Sequence, residues 1–282
     1  MKKIKIAFSD FWGGFEYNPT GKSNFDNVFY RILSERFDLE ISNNPDLLIF
    51  SVFGQNHTQF KGKKVFYTGE NIRPNYNTCD YSISFDYMDD PRNLRFPLSA
   101  ISLYENNIVD FPPPDFEKIR REKTEFCNFV FSNPNAHLRN NLFSKLSQYK
   151  RVDSGGKAYN NIGYFVGDKL DFLNRYKFTI AFENSEFPGY TTEKLVHPKI
   201  VNSIPIYWGN PEVHRDWNTS SFINAYDFNN LDQLIEFIVK VDNDDDLWVS
   251  MIKESHFNQI KSRDLQHTSL LDFMEDIIKS FE

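Results

Sequence analysis

Apolar and polar positions alternate over residues 3–8, the two-residue period of a strand with one buried face. The period then changes. Phe25, Val28, Phe29, Ile32 and Leu33 fall at i, i+3, i+4, i+7 and i+8, which predicts a helix with Ser23 as its cap. A loop rich in Gly, Asn, Pro and aromatic residues, 10–21, joins the two. Short apolar runs follow at 37–41, 47–52, 64–67 and 79–85, a β-α-β-β-β series that reads as half of a doubly wound sheet. Periodicity fades over 89–115, which ends in Pro112-Pro113-Pro114 and reads as a long connection. It returns as a strand at 126–131 and a helix from Asn133-Pro134-Asn135 to about Tyr149, with Leu138, Leu142, Phe143 and Leu146 inward. Residues 152–156, Val-Asp-Ser-Gly-Gly, have linker chemistry, and the domain boundary is placed there.

The second half is organised around residues 177–211. Two apolar strands, 178–182 and 204–207, flank a polar loop and a helical stretch at 192–202, which makes a βαβ unit. Its loop collects Glu183, Asn184, Tyr190, Glu193 and Lys194, at the kind of strand end where open α/β sheets bind ligands. A lysine in a first helical turn opposes the helix dipole at a cost of roughly 0.3–1 kcal/mol, which an anion at that terminus would offset. A helix is expected before this unit at 168–176. A strand at 222–225 and helices at 231–241, 247–257 and 270–281 are expected after it. The domains are therefore read as 1–153, 154–262, and a last helix, 263–282, packing back on the first.

Composition narrows the class. An apolar fraction of 40% with 29 phenylalanines supports a large aromatic core in a 282-residue chain. A net charge of −7 argues against a protein that coats nucleic acid, so no nucleic-acid partner is expected. Two cysteines, Cys79 and Cys127, lack metal-like spacing and imply no disulfide framework. Met-Lys-Lys leads straight into the first strand without a signal-like apolar run, so the sequons at Asn56 and Asn218 are read as chance. A cytoplasmic protein is expected, with membrane contact limited to peripheral association at the inner face.

Several motifs invite a chemical reading beside a plain one. The run Asp242-Asn243-Asp244-Asp245-Asp246 contains Asp-x-Asp, which in some sugar-nucleotide enzymes holds a divalent metal. Here a helical apolar pattern precedes it, so it reads as a turn and cap between helices. The six histidines show no paired-ligand spacing. Dinucleotide, P-loop and nucleophile-elbow signatures are absent. Glu70 closes an apolar strand at a sharp turn and is either a solvated loop carboxylate or a general base. Arg139, early in its helix, is either an exposed helical arginine or a fork for phosphate. Tyr190 either stacks on a ligand or packs as core, and Tyr207 and Trp208 read as core.

Taken together, FENS at 182–185, GYTTEKL at 189–195 and IPIYWGNP at 204–211 resemble the α-1,3/4-fucosyltransferase signature of glycosyltransferase family ten, in its bacterial form. YTGENIRPN at 67–75, FCNFVFSNPNAHLRNNLF at 126–143 and NIGYFVGDKLDFLNRYKF at 161–178 agree with it in order. The resemblance implies an α/β fold of the GT-B type, two Rossmann-like domains facing across a cleft, the acceptor mainly on the N-terminal one (1–153) and the GDP-sugar donor mainly on the C-terminal one (154–262), here with a helical C-terminal tail. It implies an inverting transfer of L-fucose from GDP-β-L-fucose to a hydroxyl, O3 of a GlcNAc-type residue, on a surface glycan. Glu70 would be the base, Arg139 and Lys194 would neutralise the diphosphate, Glu193 would bind the ribose or steady the cationic sugar, and Asn184 and Tyr190 would line the donor pocket. No essential cofactor is expected, a divalent metal being at most stimulatory. The alternatives are a transferase of the same fold that uses another GDP-deoxyhexose, and a non-catalytic sugar-nucleotide binding module.

Overall fold

The computed structural model describes residues 3–13, 27–258 and 261–280. The expected cap Ser23, Phe25 of the first helical face, residues 14–21 of the first loop and the last expected helical residue, Phe281, lie outside the described residues. The chain forms two compact units, Met1–Asn107 with Arg263–Glu282, and Ile108–Ser262.

In the first unit, β1 (Ile4–Ser9), α1 (Val28–Ser34), β2 (Leu39–Ile41), β3 (Leu47–Phe50), β4 (Lys63–Tyr67), β5 (Tyr81–Ser84), β6 (Asn93–Arg95) and α2 (Leu98–Glu105) succeed one another. Their six strands form one sheet in the order β2-β1-β3-β4-β5-β6, and every neighbouring pair is parallel. All four residues of β3 are buried, the apolar run that a parallel sheet covered on both faces demands. The cap of α1 is Asn27, whose Oδ1 accepts from the Tyr30 N–H at 3.1 Å.

Residues 89–115, expected to be a long connection, instead contain β6 and α2. The helix has no polar face to betray its period: Ser99, Ala100, Ile101, Ser102 and Leu103 are all buried. A three-residue strand is too short to show alternation.

The second unit runs α3 (Phe116–Glu122), β7 (Glu125–Phe129), α4 (His137–Tyr149), β8 (Val152–Ser154), α5 (Lys169–Leu173), β9 (Tyr176–Phe182), α6 (Glu193–Ile200), β10 (Ile204–Trp208), β11 (Ile223–Asn224), α7 (Leu231–Asn243) and α8 (Asp245–Lys253). Its sheet, in the order β11-β10-β9-β7-β8, is parallel throughout. Aromatic packing fills it, as in the Phe126–Phe178 and Phe129–Phe131 pairs.

This sheet corrects the boundary at 153. Cys127 of β7 pairs with Phe178 of β9 on one side and with Val152 of β8 on the other, so 108–153 belong to the second unit. Gly155 and Gly156 are not linker glycines. A Cβ on Gly156 would overlap the backbone of Phe131, so glycine is required for close approach rather than for flexibility. The chain then returns to the first unit as α9 (His267–Lys279), which packs on α1, α2 and β6. Arg36 Nη1 reaches Asp272 Oδ1 at 2.8 Å and Glu275 Oε2 at 3.0 Å there. Among the described residues no helix is long and apolar enough to cross a membrane.

The acidic run behaves as a helix junction. Asp244 caps α8, its Oδ1 accepting from the Leu247 N–H at 2.9 Å. Asp242, expected to be solvated, is instead buried and accepts from the Tyr149 hydroxyl at 2.9 Å.

Candidate functional site

The site grows from the end of β9. Its last residue, Phe182, leads to Glu183, whose side chain is fully buried. Burying a carboxylate is costly unless it is paired and hydrogen-bonded. Thr192 supplies its N–H at 2.8 Å and its hydroxyl at 2.9 Å, and the Lys194 ammonium lies 3.0 Å from Glu183 Oε2. The strand end and the start of α6 are thus tied by one carboxylate. Thr192 also caps α6 through the Lys194 N–H. Space for Glu183 comes from Gly209 at the end of β10. Its φ of 147° suits glycine, and a Cβ there would overlap Glu183.

The loop between β9 and α6 is clamped from below. Tyr207, fully buried, donates its hydroxyl to the Tyr190 carbonyl at 3.3 Å. Asn210 accepts from the Gly189 N–H at 2.8 Å and donates to Thr191 Oγ1 at 3.1 Å. Gly189, at φ 86°, makes the turn. Tyr190 is therefore fixed as a buried residue beside Arg139 and Lys194.

Arg139 overturns one of the two readings that the sequence left open. It is not exposed: it is 1% accessible, with its guanidinium 3.8 Å over the Phe131 ring. Leu138, expected inward, is exposed in its place, because the buried face of α4 runs through Arg139, Leu142 and Leu146. Nη1 donates to the Phe182 carbonyl at 3.3 Å and to Asn184 Oδ1 at 2.9 Å, and Nη2 to the Asn133 carbonyl at 2.9 Å. Nε is buried without a partner. Among the described residues no carboxylate forms an ion pair with it, and burial lowers its pKa to about 10. A buried cation with neutral partners and an orphaned donor is a group prepared for an anion.

Around Lys194 the charges alternate. Burial alone would depress its ammonium, but Glu183 and Glu193 outweigh that and hold its pKa above the ordinary lysine value. Burial likewise would raise Glu193, but Lys194 and Lys169 pull it down to about 2. Lys169, at the start of α5, makes no hydrogen bond or ion pair among the described residues, and its pKa is lowered chiefly by burial. It lines a cavity of about 10 Å³ together with Lys194, Phe131 and Thr179. His197, one turn along α6, is pushed down to about 4 by burial, then by Lys169.

Arg139, Asn184, Tyr190, Glu193 and Lys194 thus converge on the carboxyl end of the second sheet, anchored through the consecutive residues Phe182, Glu183 and Asn184. Glu70 stands at the equivalent place in the first unit, just past β4. The Thr68 hydroxyl ties its turn, donating to the Glu70 carbonyl at 2.8 Å and accepting from the Glu70 N–H at 3.0 Å. Its exposed carboxylate has no partner among the described residues. Sequence reasoning missed Glu183 as the anchor and Lys169 as a second free cation. Place after an apolar strand does not distinguish Glu183 from the exposed Glu70; what buries Glu183 is its pairing with Thr192 and Lys194, which lie nine and eleven residues further on. For Lys169 the signal was its place in the motif at 161–178, directly after the cap Asp168.

Among the described residues no group of three or more His, Cys, Asp or Glu is arranged to hold a metal ion.

Two all-parallel α/β units, each with chemistry-bearing residues at its strand ends, place the chain among two-domain α/β proteins of the GT-B type, in which ligands bind at strand ends. Comparison with known proteins narrows that class. Residues 120–274, more than half of the chain, match the family model for glycosyltransferase family 10 (fucosyltransferase) C-terminal regions. Residues 6–103 match that of the alpha-(1,3)-fucosyltransferase FucT N-terminal domain. The chain belongs to glycosyltransferase family 10. It is 33% identical to the alpha-(1,3)-fucosyltransferase FucT of Helicobacter pylori over 98% of its own length and 66% of that protein's. It is 40% identical to alpha-(1,3)-fucosyltransferase B of Drosophila melanogaster over 46% of this chain and 32% of the relative. It thus spans at most about two thirds of these relatives. The crystal structure of an alpha1,3-fucosyltransferase with GDP-fucose superposes with a TM-score of 0.82 at 31% identity, covering 98% of this chain and 90% of that one.

Proposed function

We propose that the protein is an inverting α-1,3-fucosyltransferase that moves L-fucose from GDP-β-L-fucose to O3 of a GlcNAc-type residue on a surface glycan. The observation that carries this reading is Arg139, a buried guanidinium with no carboxylate partner, held at the same strand end as Lys194. Support comes also from the GDP-fucose complex of the related crystal structure.

In the proposed reaction Glu70 takes the proton of the acceptor hydroxyl as that oxygen attacks the anomeric carbon of the donor. A base for this step must be exposed and uncommitted, as Glu70 is. The C–O bond to the diphosphate breaks on the opposite side, which inverts the anomeric centre. Negative charge then grows on the leaving diphosphate, where Arg139, Lys194 and Lys169 meet it. Donors placed where charge develops are worth about 3–4 kcal/mol each. Lys194 alone cannot supply this, since Glu183 and Glu193 already balance it. Glu193 binds the donor's ribose or steadies the cationic sugar, and Asn184 and Tyr190 line the donor pocket. These cations do the work of a diphosphate-bound metal, so activity without an added divalent ion is expected. Peripheral association with the inner membrane face places the enzyme near its acceptor.

The reading is tested by following GDP release from a panel of GDP-sugars in the presence of N-acetyllactosamine and EDTA. Release from GDP-fucose well above the other donors is expected. Preference for another GDP-deoxyhexose, or no release from any donor, contradicts it.

A further inference from the structure

A cavity of about 330 Å³ opens in the first unit, beside the carboxyl ends of β1 and β2. That is the small end of the 300–1,000 Å³ usual for small-ligand sites. Phe60 and Leu48 give it an apolar wall, while Ser42, Asn43, Asn56 and Gln59 give it a polar one. In a chain with 25% charged residues, none of the described lining residues is charged. Asn43, Asn56 and Gln59 are exposed at its mouth, and their side-chain amides make no hydrogen bond to the protein among the described residues, which leaves them available to a ligand. Each amide offers donors and an acceptor together.

The polar wall is held in place. Residues 56–59 form a single 3-10 turn, which on its own would be loose. Asp10 secures it from inside. Its buried carboxylate accepts from the Asn56 N–H at 2.9 Å, the His57 N–H at 2.9 Å and His57 Nδ1 at 2.7 Å. To reach them Asp10 adopts φ 60°, the left-handed region that Asp enters more readily than most residues. The His57 ring in turn stacks on Phe50, centroids 4.0 Å apart. Gly54 leaves room for the Asp10 carboxylate, which a Cβ there would overlap. The cavity therefore exists before any ligand arrives, which lowers the entropic cost of filling it.

Its chemistry selects the occupant. Its described lining holds no cation to meet a phosphate and no carboxylate to meet an amine or a metal. Vicinal hydroxyls pair with side-chain amides in both directions, and the C–H face of a pyranose packs on an aromatic ring. We propose that this cavity binds one neutral sugar residue, at a site built from none of the residues that flank Glu70. It holds a unit of a glycan chain rather than the nucleotide donor. The proposal rests on the reading of the preceding subsection only for the choice of sugar.

The test uses the full chain without donor, labelled with nitrogen-15, titrated separately with N-acetyllactosamine and with fucose. Saturable shifts of the Asn43, Asn56 and Gln59 side-chain amides, in the millimolar range, are expected with at least one of the two. Shifts with N-acetyllactosamine place the acceptor chain in the cavity; shifts with fucose alone place the product end there. Gln59→Ala should weaken binding about fivefold, the factor matching one neutral hydrogen bond of about 1 kcal/mol. Ala7→Leu, which fills the cavity from β1, should abolish it, and thermal melts of both variants verify folding. Silent amides, or undiminished affinity in both folded variants, overturn the proposal. GDP titrated into the same sample separates the readings: GDP bound with a silent cavity removes this site alone, and a responding cavity without GDP binding removes the donor reading alone.

Discussion

Arg139 and Lys194 are both cations at the end of β9, but they stand in opposite electrostatic positions. Lys194 is neutralised by the buried Glu183 and by Glu193, and serves to lock α6 onto β9. Arg139 makes no ion pair among the described residues and donates only to carbonyls and an amide, with Glu183 acting on it through space. Glu183→Ala is therefore expected to act on stability, because it leaves Lys194 buried without its main partner. Removing one member of a buried pair costs about 3–5 kcal/mol, and urea unfolding measures it. A loss well below 1 kcal/mol contradicts the anchoring role. Arg139→Ala is expected to weaken GDP binding by tenfold or more, roughly 1.4 kcal/mol, as read by calorimetry. Glu70→Gln is expected to do the reverse, lowering turnover by at least a hundredfold, about 2.7 kcal/mol, while GDP affinity stays near that of the parent. Loss of GDP binding in Glu70→Gln would remove it from the base role. At this scale the sequence was legible only through ordered motifs. An arginine early in a helix is ordinarily solvated, and what buries this one, Phe131 and Asn184, comes from elsewhere in the chain.

At the scale of elements, the βαβ unit from β9 to β10 was legible because its two strands are continuous apolar runs and Thr192 is a competent cap. Residues 152–156 were not, because a glycine pair reads alike in a linker and in a tight backbone crossing. The same elements carry a pH response. His197 on α6 has its pKa lowered to about 4, first by burial, and His256, past α8, has its lowered to about 2, first by burial and then by Lys199. Both are neutral in the folded chain, whereas unfolded histidine titrates near 6.5. As pH falls below about 6.5 the unfolded chain takes up protons that the folded chain refuses, so stability is lost in that direction. The melting temperature should fall from pH 6.5 to roughly 5, above the range where carboxylates dominate. His256→Asn should flatten that slope. A slope unchanged in the variant contradicts the assignment.

For the whole molecule, the fold class was readable from alternating strands and helices, while the partition was not. Pairing of β7 with β9 spans some fifty residues of sequence and leaves no local mark. The boundary at 107 predicts that a fragment of residues 108–262 unfolds in one cooperative transition. A fragment of residues 154–262, without β7, α4 and β8, should show none. Equal behaviour of the two fragments contradicts the partition. The return of α9 to the first unit, held by Arg36 to Asp272 and Glu275, makes that unit discontinuous in sequence. Both units bear on the proposed reaction, since Glu70 belongs to one and the diphosphate cations to the other. The most direct measurement is proton NMR of the product formed from GDP-β-L-fucose and N-acetyllactosamine. The account predicts a single new α-fucosyl anomeric signal, linked to O3 of the GlcNAc residue. A β-linked product, or fucose released only to water, would contradict it.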